Sequence, residues 1–142
     1  MIKFFLIANR VGQLRVSRYF EKIDSLKRQH LESTIISHCL KRIDKQCTIF
    51  QLEDTVIIYR KYVNLYLIVG TTPDENELAV LELMHNFLET LDLYFKKVSE
   101  LDIMFNLDRV YMILDEMLIN GIVAQTTKDR ILVPIQMFDS LE

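Results

Sequence analysis

Apolar residues form short runs in the first half of the chain and recur at helical spacing in the second half. The run Ile2–Ala8 is apolar after Lys3, which is typical of a strand buried on both faces. A polar turn containing Gly12 follows, and the alternating segment Leu14–Phe20 is predicted to be its hairpin partner. Three further strands with short connections are predicted over Cys47–Glu53, Thr55–Tyr62 and Leu65–Thr71. The pattern therefore predicts a five-stranded antiparallel sheet.

Four helices are predicted from apolar residues that recur three and four positions apart. The first, Ser25–Ile43, follows the potential capping residue Asp24 and carries one apolar stripe. The other three follow the strands and span Glu75–Val98, Arg109–Asn120 with Gly121 as its C-cap, and Thr126–Leu141, which is broken or started at Pro134. The predicted order is β-β-α-β-β-β-α-α-α, an α+β fold in which helices flank the sheet.

The helix Glu75–Val98 is apolar over an unusually wide arc. One predicted face consists of Leu78, Leu81, Met84, Leu88, Leu91, Phe95 and Val98. A second face consists of Val80, Leu83, Phe87 and Tyr94. Because the sheet can cover only one of these faces, we predict that another helix or another chain covers the rest. The alternative interpretation is that both faces belong to an ordinary core.

Length and composition favour one domain with a core of its own. The 142 residues predict a single domain over residues 1–142, and the three glycines and two prolines argue against a turn-rich β-sandwich. No apolar run approaches the ~20 residues of a membrane span, and the first run is too short for a signal peptide. We therefore expect a cytoplasmic protein in which Cys39 and Cys47 are free thiols, with a disulfide between them as the alternative.

Charge is distributed unevenly along the chain. Residues 1–62 contain 12 lysines and arginines against 6 acidic residues, whereas residues 63–142 contain 5 against 14. This asymmetry is consistent with internal charge complementarity, and a basic patch for an acidic ligand or an anionic surface is the alternative. The basic residues are not clustered as in a nucleic-acid-binding protein, and we expect no nucleic-acid partner.

The sequence offers no set of residues for catalysis, a cofactor or a metal. The isolated glycines Gly12, Gly70 and Gly121 cannot form a phosphate-binding loop. The adjacent pair His38 and Cys39 lacks the spacing of a zinc site. Since no histidine lies beside a nucleophile in a strained turn, we expect no enzymatic activity and no cofactor.

Several segments carry a resemblance to a known family. They read MIKFFLIANRVGQLRVSRYF, IIYRKYVNLY, NELAVLELMHNFLETLDLYF and SELDIMFNLDRVYMILDEMLING, and the resemblance that they carry extends over essentially the whole chain. With them the chain resembles the small (sigma) subunits of the heterotetrameric clathrin-adaptor-type complexes, which have a longin-like fold. The SELDIMFNLD segment, with MIKFFL and RILVPI, is most similar to the sigma subunit of the fourth adaptor complex. The sigma subunits of the first and second complexes share fewer of these elements.

The resemblance implies a structural and cargo-selecting role without enzymatic activity. Such a subunit packs directly against a large adaptin-type subunit and joins a second large subunit and a medium subunit in a heterotetramer. The complex contacts the membrane and the cytoplasmic tails of transmembrane cargo in coated-vesicle formation at the trans-Golgi network or endosomes. Two alternatives follow: the sigma subunit of the plasma-membrane clathrin adaptor in endocytosis, and a free-standing longin-domain regulator of trafficking.

The resemblance also implies a site for acidic dileucine signals, [Asp/Glu]-x-x-x-Leu-[Leu/Ile], in cargo tails. Arg15 would supply part of the positive charge that binds the acidic residue of the signal. The two leucine pockets would be lined by Val63, Leu65, Leu88, Val98 and Ile103. Each of these apolar residues is equally an ordinary core candidate. Lys97 departs from the family pattern, since dileucine-binding relatives usually have a small polar residue there, and a long cation could crowd the pocket or change its preference.

Overall fold

The chain forms two compact units, Met1–Glu77 and Leu78–Glu142. The computed structural model describes residues 1–41, 47–62, 64–119, 121–123 and 128–141. The single domain expected over residues 1–142 stays a prediction.

The first unit contains the predicted five-stranded antiparallel sheet. Its strands are β1 (Ile2–Asn9), β2 (Leu14–Tyr19), β3 (Cys47–Leu52), β4 (Thr55–Tyr62) and β5 (Leu65–Thr71). Their order across the sheet is β2-β1-β5-β4-β3, and every neighbouring pair is antiparallel. One helix, α1 (Ser25–Lys41), connects β2 to β3. Strands and helix confirm the predicted order, and the predicted helix end at Ile43 lies outside the described residues.

The centre of the sheet is buried on both faces, as the continuous apolar runs predicted. All eight residues of β1 and all seven of β5 are buried. On one face, Ile35 and Cys39 of α1 pack with Phe4 and Leu6 in a single apolar cluster. That cluster also contains Ile57, Tyr59, Tyr66 and Ile68. The central strands are therefore held by apolar packing as well as by their hydrogen bonds.

The elements after the sheet are shorter and more numerous than the sequence predicted. They are α2 (Glu77–Phe95), α3 (Glu100–Phe105), α4 (Leu107–Met117), β6 (Leu118–Ile119), β7 (Ile122–Val123) and α5 (Lys128–Ser140). The predicted end of α2 at Val98 is wrong, because Lys96 and Lys97 adopt left-handed backbone angles. Gly121 was predicted to cap a helix, but it lies at φ 80° between the paired strands β6 and β7. Pro134 lies inside α5 and neither breaks nor starts it.

The burial of α2 bears on the prediction that another helix or another chain covers the face that the sheet does not cover. Residues from both predicted faces are buried in the isolated chain, namely Val80, Leu83, Met84, Phe87, Leu88 and Leu91. Leu78 and Leu93 remain exposed on α2. Other large exposed apolar side chains lie on α3, at the start of α4 and on α5. No helix within the described residues is both long and apolar enough to cross a lipid bilayer.

Candidate functional site

Arg15 lies at an irregularity in the first hairpin of the sheet. Ile7 pairs with Val16 and Ala8 pairs with Leu14, so Arg15 is the extra residue of a β-bulge. A bulge changes the direction of a side chain relative to a regular strand, and Arg15 is half-buried. The sequence did not predict this bulge, since the regular alternation of Leu14–Phe20 contains no signal for an extra residue.

The turn before Arg15 helps to position its guanidinium. Asn9 Oδ1 accepts hydrogen bonds from the backbone N–H groups of Val11 (3.1 Å) and Gln13 (2.8 Å). Asn9 Nδ2 donates to Gln13 Oε1 (2.9 Å), which also accepts a hydrogen bond from Arg15 Nη2 (3.0 Å). Asn9 is itself buried, so the turn is anchored to the end of β1. The positioning roles of Asn9 and Gln13 were missed, although an asparagine four residues before Gln13 is a recognisable turn signal.

The first unit also contains Leu65, the first residue of β5. Leu65 is buried and pairs with Asn9 on one side and Tyr62 on the other. Its predicted companion Val63 lies outside the described residues. Leu65 therefore contributes to the sheet interior in the isolated chain, in agreement with its interpretation as a core residue.

The second unit contains the other predicted site residues, on α2, on the turn that follows it and on α3. Leu88, Val98 and Ile103 are buried, whereas Lys97 is exposed. The backbone places Lys97 outward and Val98 inward, because Lys96 (φ 55°) and Lys97 (φ 81°) both adopt left-handed angles. These angles end the helix and reverse the chain before α3 begins.

Three side chains fix this turn and the start of α3 by capping the backbone. Asp92 Oδ1 accepts a hydrogen bond from the Val98 N–H (2.9 Å), and the Asp92 carbonyl accepts one from the Lys97 N–H (3.0 Å). Ser99 and Asp102 then form a complete capping box at the start of α3. The sequence S-x-x-D at these positions carried that signal, which the sequence analysis missed. The caps hold Val98 and Ile103 on one ordered segment.

A partly buried ionic network connects three helices of the second unit. Arg109 of α4 is buried, and its Nε donates to Asp139 Oδ1 of α5 (2.6 Å). Its Nη1 donates to Asp108 Oδ2 (2.7 Å), and its guanidinium carbon lies 4.5 Å from the ring centroid of Phe138. The Tyr94 hydroxyl of α2 donates to Asp139 Oδ2 (2.5 Å). Asp139 therefore connects α5 to both α2 and α4.

Titration of this network follows from burial and from its hydrogen bonds. Burial, followed by the hydrogen bond to Asp139, raises the pKa of Tyr94 to about 12. The hydrogen bond from Tyr94, aided by Arg109, lowers the pKa of the Asp139 carboxyl below its usual value. With both pKa values shifted in these directions, Tyr94 is a neutral phenol that donates a hydrogen bond to the ionised carboxylate of Asp139. Among the described residues, no group of three or more histidine, cysteine, aspartate or glutamate side chains could hold a metal ion.

The comparisons with known proteins identify the family. The model of the clathrin adaptor complex small chain matches residues 1–142, so this chain belongs to that family. It is 50% identical over 141 residues to the human protein named AP-4 complex subunit sigma-1, covering 99% of this chain and 98% of the relative. It is 35% identical to human AP-1 complex subunit sigma-1A, covering 100% of this chain and 90% of the relative.

A structural comparison supports the same family. A chain in a homology model of the full-length AP-3 complex, in a stretched open conformation, matches with a TM-score of 0.76 at 27% identity. The match covers 99% of this chain and 95% of that chain. The predicted longin-like fold and the predicted family are thereby confirmed.

Proposed function

We propose that this chain is the sigma subunit of an AP-4-type heterotetrameric adaptor complex that acts in vesicle formation. The observation that carries the proposal is the 50% identity to an AP-4 sigma subunit over nearly the whole of both chains, compared with 35% to an AP-1 sigma subunit. In this role the chain binds a large adaptin-type subunit directly and shares the complex with a second large subunit and a medium subunit. The complex lies on the cytosolic face of trans-Golgi network or endosomal membranes and selects transmembrane cargo.

Assembly tests this proposal most directly. The chain, tagged and expressed in its own cells, is expected to co-purify with the two large subunits and the medium subunit of the fourth complex in equal amounts. Quantitative mass spectrometry measures the ratio. Recovery of the plasma-membrane adaptor subunits instead would favour the endocytic alternative. A monodisperse chain that recovers no adaptor subunit would contradict the proposal and favour a free-standing longin regulator.

We also propose that the chain contributes to binding acidic dileucine signals. The proposal assigns Arg15 to the acidic residue of the signal, since it is a half-buried guanidinium oriented by Gln13. It assigns the leucines to the apolar residues Val63, Leu65, Leu88, Val98 and Ile103. Exposed Lys97 at φ 81° then adds a second cation beside Val98, which favours signals with more than one acidic residue.

Reversing the charge of Arg15 is expected to weaken dileucine binding in the assembled complex. For Arg15→Glu we expect an increase in Kd of about tenfold or more, because a hydrogen bond to a charged group contributes about 1.5–3 kcal/mol. The measurement is fluorescence anisotropy with a labelled acidic dileucine peptide, and a peptide with both leucines replaced by alanine shows the background. Arg10→Glu, an exposed position in the same hairpin, is the matched control and should leave Kd within about twofold.

If the wild type and Arg15→Glu bind the dileucine peptide with equal affinity, Arg15 is not part of the site. Leu88→Asp is unsuitable as a test of binding, because Leu88 is buried and an aspartate there would unfold the chain. Lys97→Ser is the better second variant, since Lys97 is exposed and its side chain supports no core contact. We expect that variant to lose the preference for a second acidic residue and to keep its binding to the leucine pair.

A further inference from the structure

Strand β3 (Cys47–Leu52) lies at one edge of the five-stranded sheet. Among the residues that the structure describes, it pairs with β4 alone. An edge strand presents a row of unpaired N–H and C=O groups to which another extended chain can bind. Natural proteins protect such edges with charged side chains, with proline or with a β-bulge, and the two edges of this sheet differ in that protection.

The opposite edge of the sheet, β2, is protected. It contains Arg15 and Arg18, and its pairing with β1 is interrupted by the bulge at Arg15. Strand β3 reads CTIFQL, which contains neither a charged residue nor a proline. Its pairing with β4 continues over all six residues without a register shift. Strand β3 is therefore a regular, uncharged edge that lacks these three protections.

The hairpin geometry decides which backbone groups of β3 face outward. The two-residue turn Glu53–Asp54 makes Leu52 and Thr55 the first hydrogen-bonded pair of the hairpin. Because bonded and non-bonded pairs alternate in an antiparallel ladder, Ile49 and Gln51 direct their N–H and C=O groups away from β4. The Ile49 side chain is 39% exposed, and Gln51 is exposed. Each of these two residues thus offers one donor and one acceptor to a further strand.

A cavity of about 810 Å³ adjoins one end of this edge. Its wall includes Leu52 of β3 and Leu31 and Thr34 of α1. Three lysines and four acidic residues also line it, and two of them, Lys3 and Asp54, form an ion pair (3.5 Å). Because both signs of charge are present, the cavity does not select an occupant by net charge. A segment paired with β3 reaches this cavity as it passes Leu52, and one of its side chains can be buried there.

We propose that β3 binds an extended, uncharged segment of a partner protein, which pairs with it as a sixth, antiparallel strand. The outward backbone groups select an extended chain over a helix, because a helix uses its backbone groups internally. A second copy of this chain is a poorer occupant, since two β3 strands would contribute six residues each and a standard interface uses about 20–30 residues a side. The site lies at the opposite edge of the sheet from Arg15 and is separate from the proposed contact with the acidic residue of dileucine signals.

A library of short random peptides displayed on phage, selected against the assembled complex, supplies the probe. The recovered peptides are synthesised with a photoreactive p-benzoylphenylalanine, and the irradiated contact is identified by mass spectrometry. We expect a set of peptides that crosslinks to β3 and whose binding is weakened by N-methylation at every second residue, since an antiparallel strand directs alternate N–H groups to its neighbour. The absence of a crosslink to β3, or losses of binding without this period of two, would overturn the proposal.

A proline variant tests the outward backbone group without removing a hydrogen bond to β4. Gln51→Pro removes an outward N–H, and proline is tolerated at such positions of an edge strand. We expect it to raise the Kd of the peptide that crosslinks to β3 by about tenfold or more, because a backbone hydrogen bond is lost and the proline ring blocks close approach. The matched control Gln51→Thr keeps the N–H and should leave Kd within about twofold.

Equal Kd values for the wild-type and Gln51→Pro complexes would exclude strand pairing at β3. A doubled mass of the complex in light scattering that Gln51→Pro returns to a single copy would identify a second copy as the occupant and overturn the proposal. If the Gln51→Pro chain fails to assemble, the N-methylated peptides and the crosslink on the wild-type complex decide the outcome, because neither needs a variant.

Discussion

Replacing Gly70 by alanine is expected to destabilise the fold by about 3 kcal/mol, near the upper end of what an added core methyl group costs. Gly70 lies in β5 directly opposite Phe4 of β1. A Cβ atom at Gly70 would lie 2.2 Å from Phe4 Cζ and 2.3 Å from Phe4 Cε2. The ring cannot move aside without cost, because Phe4 is buried in the apolar cluster and contacts Tyr19 with a centroid distance of 5.5 Å.

A double-mutant cycle separates this clash from other effects of the substitution. Leucine at position 4 lacks the distal ring atoms that the new Cβ would meet, so Phe4→Leu should relieve part of the cost of Gly70→Ala. We expect the double variant to be more stable than the sum of the single effects predicts, by more than about 1 kcal/mol. The measurement is pulse proteolysis in urea of this chain within its complex. If the losses of stability caused by Gly70→Ala and Phe4→Leu are strictly additive, the Phe4 ring does not cover Gly70.

Removing the carboxylate of Asp139 is expected to produce the second large loss of stability. Asp139→Ala leaves the buried Arg109 with Asp108 as its remaining carboxylate partner, and it leaves the Tyr94 hydroxyl without this acceptor. Breaking a buried ion pair costs about 3–5 kcal/mol. Because the Asp139 side chain is 37% exposed and Asp108 remains, we expect about 2–3 kcal/mol. Glu116→Gln, an exposed acidic position near the end of α4, is the control and should change stability by less than about 0.5 kcal/mol.

The same contact predicts a dependence of stability on pH. The folded-state pKa of Asp139 is lower than its ordinary value, so its stabilising contribution is fully present above the unfolded-state pKa of about 3.9. That contribution is lost as the pH falls from there through the lowered folded-state pKa. Asp139→Asn should therefore reduce the difference in unfolding free energy between pH 6 and pH 3, measured by the same pulse proteolysis in urea. An unchanged difference would mean that the pKa of Asp139 is the same in the folded and the unfolded chain.

Some elements could be predicted from sequence because their signals are local. The strands β1, β4 and β5 and the helices α1 and α2 each have at least seven residues, which is long enough for the pattern of apolar residues to repeat. The elements that were missed are short. The strands β6 and β7 have two residues each, which is a single period of a strand, and the six residues of α3 form fewer than two helical turns, so none of the three repeats its pattern.

The candidate site was predictable in residue identity but not in arrangement. Resemblance to a family selected Arg15, Leu65, Leu88, Val98 and Ile103, and among these only Arg15 is more than slightly exposed in the isolated chain. The bulge at Arg15 depends on which residue of β1 faces which residue of β2. This register depends on both strands, so it cannot be deduced from the sequence of either strand alone.

The sequence by itself determined the class of fold, the order of its main strands and helices, and the family, because these depend on patterns along the chain. Only the tertiary structure decided which apolar residues are covered by the chain itself. It buried seven of the 19 residues of the long helix α2 and left Leu101 and Phe105 of α3 exposed. It also placed Asp139 against Arg109, thirty positions away in sequence. Burial and ion pairing depend on neighbours in space, and folding brings distant residues together to optimise the total free energy.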